Sequence, residues 1–182
     1  VTHHYVTLWL GIVALVLYVF CYTPLKQKSW LALLVGSVPG AMPVVLGYTS
    51  LSNTVDGKAW ALFLWAFLWQ IPHFLAISLF REREYTEAGF PVLSKVAHEV
   101  FAKKMLLFTS WLLVISTFGL YMSRIIGEIN LAVCLLMGAI FLVVCHGGAF
   151  SMPTHDWAKR AFKASLFYQG FLFAALIVGA FY

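Results

Sequence analysis

Residues 65 to 91 read WAFLWQIPHFLAISLFREREYTEAGFP, an apolar run that passes through Pro72 and His73 and ends in a dense patch of charge. Arg81, Glu82, Arg83, Glu84 and Glu87 fall within seven residues of a chain that is only 10% charged. The apolar part is long enough to cross a bilayer as a helix, since a span takes roughly 20 residues at about 1.5 Å each. Polar chemistry is thus concentrated at one helix mouth, and function is sought there.

The rest of the chain has the same character. Of 182 residues 62% are hydrophobic, and the mean hydropathy is +0.89. A soluble domain is about half apolar and a quarter charged, so the composition specifies an all-α integral membrane protein. Six apolar runs qualify as spans: Tyr5 to Cys21, Trp30 to Leu51, Ala59 to Phe80, Met105 to Met122, Ile129 to Phe150 and Ser165 to Tyr182. A β-barrel would show segments of about ten residues alternating apolar and polar, and none occurs.

The net charge of +5 does not call for nucleic acid, because the basic residues follow the membrane. Ten of the twelve Lys and Arg lie in three alternate connections: Lys26 and Lys28; Arg81, Arg83, Lys95, Lys103 and Lys104; and Lys159, Arg160 and Lys163. Only Lys58 and Arg124 lie in the other two. The positive-inside rule places the first set on the cytoplasmic side. Cys21, Cys134 and Cys145 all sit in apolar runs without metal-ligand spacing and are expected to be buried packing residues. The chain starts at Val1 with no charged leader, so no signal peptide is read and the chain is expected to be part of a longer one. His3 and His4, adjacent in sequence, point about 100° apart on a helix and read as interfacial polar residues.

Local chemistry narrows the search. Pro24 is expected to stop the first helix near Tyr22, leaving Tyr22, Thr23 and Lys26 at the inner surface; an aromatic-belt tyrosine with positive-inside lysines explains the same pattern. In the second run Gly36, Gly40 and Gly47 fall near one face, which favours close helix packing, while Pro39 and Pro43 predict a kink or local opening. Gln70 and His73 put polar groups where unpaired ones are costly, so His73 is either a satisfied hydrogen-bonding residue or part of a site. Arg81 to Glu87 is read as a continuation of the third helix. Glu84 and Glu87 are close enough to approach one hard cation, and Arg81 and Arg83 suit anionic oxygens, although mixed charge also forms ordinary i,i+3 and i,i+4 ion pairs. Asp156, Lys159, Arg160 and Lys163 read as a loop, followed by a slanting helix with Phe162, Leu166 and Gln169 on one face. His146, before Gly147 and Gly148, receives no role.

The ordered set YTPLK (22–26), GSVPGAMP (36–43), FLWQIPHF (67–74) and EYTEAGFPVL (84–93), with the weaker Ala161-Phe162-x-x-Ser165-x-x-Tyr168, resembles the heme O synthase (protoheme IX farnesyltransferase) family of the UbiA prenyltransferase superfamily. The resemblance covers nearly the whole chain. It implies a nine-helix bundle of which the six spans are helices four to nine, so that residues 1–182 form one membrane domain incomplete at its N-terminus and inactive alone. It implies transfer of the farnesyl group of farnesyl diphosphate to the vinyl group of heme b, with heme as substrate and Mg²⁺ as cofactor. On the matching positions, Tyr22, Thr23 and Lys26 would serve catalysis, Arg81, His73 and Tyr85 would bind substrate, and Glu84 and Glu87 would hold metal. The family commonly has aspartate where this chain has Glu84, which moves the carboxylate outward by one methylene. The implied setting is the bacterial inner membrane, or the mitochondrial inner membrane in a eukaryote, with heme A synthase or terminal oxidase assembly proteins as partners. A UbiA-type enzyme acting on a quinone precursor or chlorophyll-like ring is the alternative enzyme. A transporter or noncatalytic scaffold is the alternative of another class.

Overall fold

A computed structural model describes residues 5–179; His3, His4 and the last residues of the sixth run lie outside them. Helices make up the elements, and no strand occurs among the described residues. Six helical stretches are long and apolar enough to cross a membrane: Tyr5–Leu25, Ala32–Ser52, Gly57–Phe80, Glu99–Met122, Glu128–His146 and Thr154–Val178. The protein is a multi-pass membrane protein.

In chain order the elements are α1 (Tyr5–Val16), a π-helical segment (Leu17–Tyr22), α2 (Thr23–Leu25), α3 (Ala32–Ser52), α4 (Gly57–Phe80), α5 (Glu82–Glu87), α6 (Leu93–Val96), α7 (Glu99–Met122), α8 (Glu128–His146) and α9 (Thr154–Gly179). The centre is α4, which packs against α3, α7 and α9. Its start is fixed by Asp56, whose carboxylate accepts from the backbone N–H of Lys58 (3.0 Å) and Ala59 (3.1 Å) and from the Tyr48 hydroxyl (2.7 Å). These bonds satisfy two of the donors a helix N-terminus leaves open, and they hold the Asp56 carboxyl below its usual range, the Tyr48 bond most of all.

Helices α4, α7, α8 and α9 close into a ring, because α7 packs on α8 and α8 on α9. The inward stripe of α9 runs Trp157, Ala158, Ala161, Ser165, Tyr168, Leu172 and Ala175, all buried. That spacing is the three-and-four rhythm of one helix face. Gly138 of α8 lets that helix approach α7: a β-carbon there would lie 2.8 Å from Val114 Cγ1. The Tyr168 ring stacks on Phe141 at 5.4 Å, closing the α8–α9 seam. Buried Thr109, Ser110 and Thr117 of α7 turn their hydroxyls back onto carbonyls three or four residues earlier, so they need no partner across the ring.

The α1–α3 layer is attached to this ring chiefly through α4, and α1 buries no residue. Cys21 is therefore exposed, contrary to the sequence expectation, while Cys134 and Cys145 are buried as expected.

Several boundaries differ from the sequence reading, each for a local reason. Pro24 does not stop the first span: the preceding turn widens to a π register, in which the Thr23 backbone N–H reaches Tyr18 O, and Pro24 sits at the start of α2, where its missing N–H matters least. Pro39 and Pro43 both lie inside one continuous α3, without a local opening, and a widened turn occurs in the first span at the π segment. α4 ends at Phe80, and Arg81 (φ −105°, ψ 24°) breaks the helix before α5. α7 begins at Glu99, six residues earlier than Met105, because Lys103 is buried in helix rather than exposed in a loop. α8 stops at His146, before Gly148 with φ of 85°. α9 begins at Thr154, so Asp156, Lys159, Arg160 and Lys163 are helical. Phe162, Leu166 and Gln169 do not share one environment: Leu166 is exposed and Gln169 buried.

Candidate functional site

The first wall of the candidate site is the end of the first span. The ring of Tyr22 lies against Gly36 of α3, where a β-carbon would come within 2.6 Å of its Cδ2. The Lys26 ammonium sits 5.9 Å from the centroid of the same ring, and Tyr18 tilts against it at 5.2 Å. The Thr23 hydroxyl donates to Tyr18 O at 2.9 Å, completing the π turn, so its hydrogen is already engaged. Gly40, one turn after Gly36, receives the amide of Gln70 from α4 so closely that any β-carbon there would collide with Gln70 Oε1. The glycine spacing noted in the sequence thus seats two polar side chains, whereas Gly47 has nothing within 4 Å.

The second wall is the inner end of α4. Arg81 stacks on Phe80 (5.6 Å) and pairs with Glu84 at 3.4 Å, and Arg83 pairs with Glu87 at 2.7 Å. All four side chains are more than half exposed, so these pairs contribute little to stability. Glu82 turns the other way and bridges to Lys95 of α6 at 2.7 Å. Partial burial pushes the Glu82 carboxyl up, but the bond to Lys95, the neighbouring Ser94 hydroxyl and the Lys95 charge together hold it below the usual carboxylate range; the bond to Glu82 holds Lys95 above an ordinary lysine. Tyr85 packs on Phe90 at 5.9 Å.

The third component lies deeper. His73 is buried, 8% exposed, and its Nδ1 is 2.8 Å from Ser165 Oγ of α9. Its ring stacks on Trp69 (4.6 Å, 23°) and leans on Phe162 (4.9 Å). Trp69 is held in turn, its indole Nε1–H donating to Ser165 O at 2.9 Å. Along its length α4 therefore carries an aromatic wall, one imidazole and then the charged mouth.

Among the proposed site residues, the structure joins Tyr22 with Thr23 and Lys26, and Arg81 with Glu84, while His73 stands apart with α9. Glu84 and Glu87 lie one turn apart in α5, each paired with a different arginine. No group of three or more His, Cys, Asp or Glu able to hold a metal occurs among the described residues. Two exposed hard-oxygen donors one helical turn apart still fit Mg²⁺, which takes one or two carboxylates and fills its octahedron with water and substrate phosphate. Two residues were missed by sequence reasoning. Ser165 holds both His73 and Trp69; the buried stripe of α9 carries a serine where apolar residues recur, and that was the available signal. Lys103, 6% exposed, pairs with Glu99 at 2.9 Å and lies 5.7 Å over Trp157, while Glu99 also accepts from Thr154. That cluster ties α7 to α9.

The sequence was compared with known proteins. Residues 2–181 match the model of the UbiA prenyltransferase family. The chain is 40% identical over 171 residues to a protoheme IX farnesyltransferase of Sorangium cellulosum, covering 94% of this chain and 61% of that protein. It is 40% identical over 167 residues to the protein of that name in Myxococcus xanthus (92% and 57%), and 40% over 174 residues to that in Anaeromyxobacter sp. (94% and 57%). The chain thus spans about three fifths of the length of these relatives. No solved structure matches. With six membrane-spanning helices and a family match across nearly its whole length, the chain belongs to the UbiA prenyltransferase family.

Proposed function

We propose that this chain is the larger part of an enzyme that transfers the farnesyl group of farnesyl diphosphate to the vinyl group of heme b, making heme O. The observation that carries the proposal is the layout of α4: an aromatic wall with a single imidazole inside the bilayer, and Arg81 with the acidic turn at its end. At about 1.5 Å per residue, Arg81 lies roughly 12 Å along the helix from His73, the same order as the reach from a porphyrin iron to its propionates. The names of the matched relatives support the same reading.

Each side chain has a role that follows from its surroundings. The farnesyl C–O bond breaks with its electron pair going to the diphosphate, the vinyl π electrons form the new C–C bond, and water adds to the cation left on the inner vinyl carbon and gives up one proton, leaving a hydroxyl there. Negative charge therefore grows on the leaving oxygens, and Lys26, beside Tyr22, is positioned to stabilise it more in the transition state than in the ground state. The Tyr22 ring offers a π face to the allylic cation, and its hydroxyl, with that of Thr23, lies at the diphosphate end. Glu84 and Glu87 would hold Mg²⁺, which when bound neutralises the diphosphate. Arg81 meets a propionate, Tyr85 lines the mouth between the two walls, and His73 faces the iron. The charge asymmetry of the connections supports a mouth on the cytoplasmic side, and the bacterial relatives favour an inner membrane. Heme A synthase or terminal oxidase assembly proteins are the partners such a product implies.

The test is restoration of heme O in cells deprived of their own synthase by the full-length gene that contains this chain. Glu84→Gln should abolish restoration without loss of the membrane protein, and Glu84→Asp should retain it. The 182-residue chain alone should give none. Unchanged hemes with altered quinones would overturn the assignment in favour of a quinone-directed enzyme.

A further inference from the structure

We propose that Ser165 is a positioning residue that fixes His73 as its Nδ1–H tautomer, leaving Nε2 as a bare lone pair for a heme iron; the identity of the metal rests on the heme reading above. The argument begins with one hydrogen. Ser165 Oγ lies 2.7 Å from Phe162 O and 2.8 Å from His73 Nδ1. A hydroxyl has one proton and two lone pairs, so it donates to only one of these neighbours. If it donated to Nδ1, two oxygens would face each other at 2.7 Å with no hydrogen between them. If it donates to the carbonyl, both contacts are satisfied, with the neutral imidazole donating from Nδ1.

The ring cannot turn over to escape this choice. It is stacked on Trp69, whose indole is bonded to the backbone carbonyl of the same Ser165, and it is closed in by Phe162. One residue of α9 thereby sets both the plane and the tautomer of a ring on α4.

The opposite nitrogen is available. Nε2 has no hydrogen-bond partner among the described residues, yet it is not among the buried unpartnered atoms, so the ring's remaining 8% exposure includes it. A neutral imidazole with Nδ1 bonded within the protein and Nε2 bare is the arrangement metal-binding histidines use, the bonded nitrogen fixing direction and raising basicity. The ligand class that fits is a transition metal approached along the Nε2 lone pair, as an imidazole approaches a heme iron. Magnesium prefers oxygen and does not fit this nitrogen.

The test has two readouts. With ¹⁵N-histidine in the full-length protein in micelles, the His73 signals, identified by their loss in His73→Gln, should show a protonated Nδ1 and an unprotonated Nε2. Ser165→Ala should mix or reverse the pattern, and Ser165→Thr, which keeps the hydroxyl, should restore it. Ferric hemin should then give a ligand-field spectrum that disappears in His73→Gln, with affinity reduced on the order of 10-fold in Ser165→Ala and restored in Ser165→Thr. A wild-type His73 protonated at Nε2 overturns the proposal, whatever the variants do. So does a hemin spectrum that is the same in wild type and His73→Gln. If both readouts come out as expected while the full-length gene fails to restore heme O, the tautomer assignment stands and the transferase assignment falls.

Discussion

Replacing Gly36 with alanine tests how Tyr22 is held, and Gly47→Ala on the same helix provides its reference. At Gly36 the new methyl would meet Tyr22 Cδ2 at 2.6 Å and Cε2 at 2.7 Å, so the ring must retreat by most of an ångström to restore ordinary contact. At Gly47 the methyl meets nothing within 4 Å. Both substitutions gain the same intrinsic helix preference, about 1 kcal/mol, so this term cancels in the comparison. What remains is overpacking, about 1–3 kcal/mol, and Gly36→Ala should be less stable than Gly47→Ala by that amount. Reversible unfolding of each variant in mixed micelles measures the difference. The displaced ring also carries the Lys26 ammonium contact, so diphosphate affinity in the full-length protein should fall in Gly36→Ala and hold in Gly47→Ala. Equal stability and equal affinity in the two variants would refute the seating of Tyr22 on Gly36.

Three further outcomes follow from the inner end of the bundle. Glu99→Gln strands the buried Lys103 ammonium and should destabilise by about 1–2 kcal/mol, less than a fully buried pair because Glu99 is half exposed, whereas Lys103→Met should cost less; unfolding midpoints of the two variants check the order. The Glu82–Lys95 bridge should contribute fully between the ordinary values of its partners, 4.5 and 10.5, because Glu82 is held low and Lys95 high; the stability gap between wild type and Lys95→Met should therefore shrink as acid protonates Glu82, measured by unfolding across pH. Single cysteines placed at Arg83 and Lys58 should be respectively protected from and open to impermeant reagent added outside the cell, and the reverse labelling would invert the proposed orientation.

The spans and the central place of α4 were legible because bilayer thickness leaves few alternatives: an apolar run of that length must be helical, and the run with the most polar interruptions had to be the best protected. The inner boundaries were less legible. Lys103 reads as a loop cation until Trp157 and Glu99, distant in sequence, provide it with a burial site. Pro24 reads as a stop because sequence gives no sign that the preceding turn widens to carry it. The acidic turn was legible as charge but not as geometry, since four neighbouring ionic side chains can pair in several ways and the observed pairing gives Glu84 and Glu87 different arginines. Ser165 was hidden because its significance depends on a partner in another helix.

That partner is 92 residues upstream, and the separation sets a schedule. At about 5–20 residues per second, a ribosome that has just completed His73 needs roughly 5–18 s to reach Ser165. The third span therefore reaches the membrane ahead of the last by about that interval, and until Ser165 follows, Trp69 and His73 lack the groups that satisfy them in the finished chain. The last span thus completes the interior of the third, and a nascent chain that stalls before Ser165 presents the insertion machinery with two unpaired ring nitrogens, a mark by which an unfinished protein can be told from a finished one.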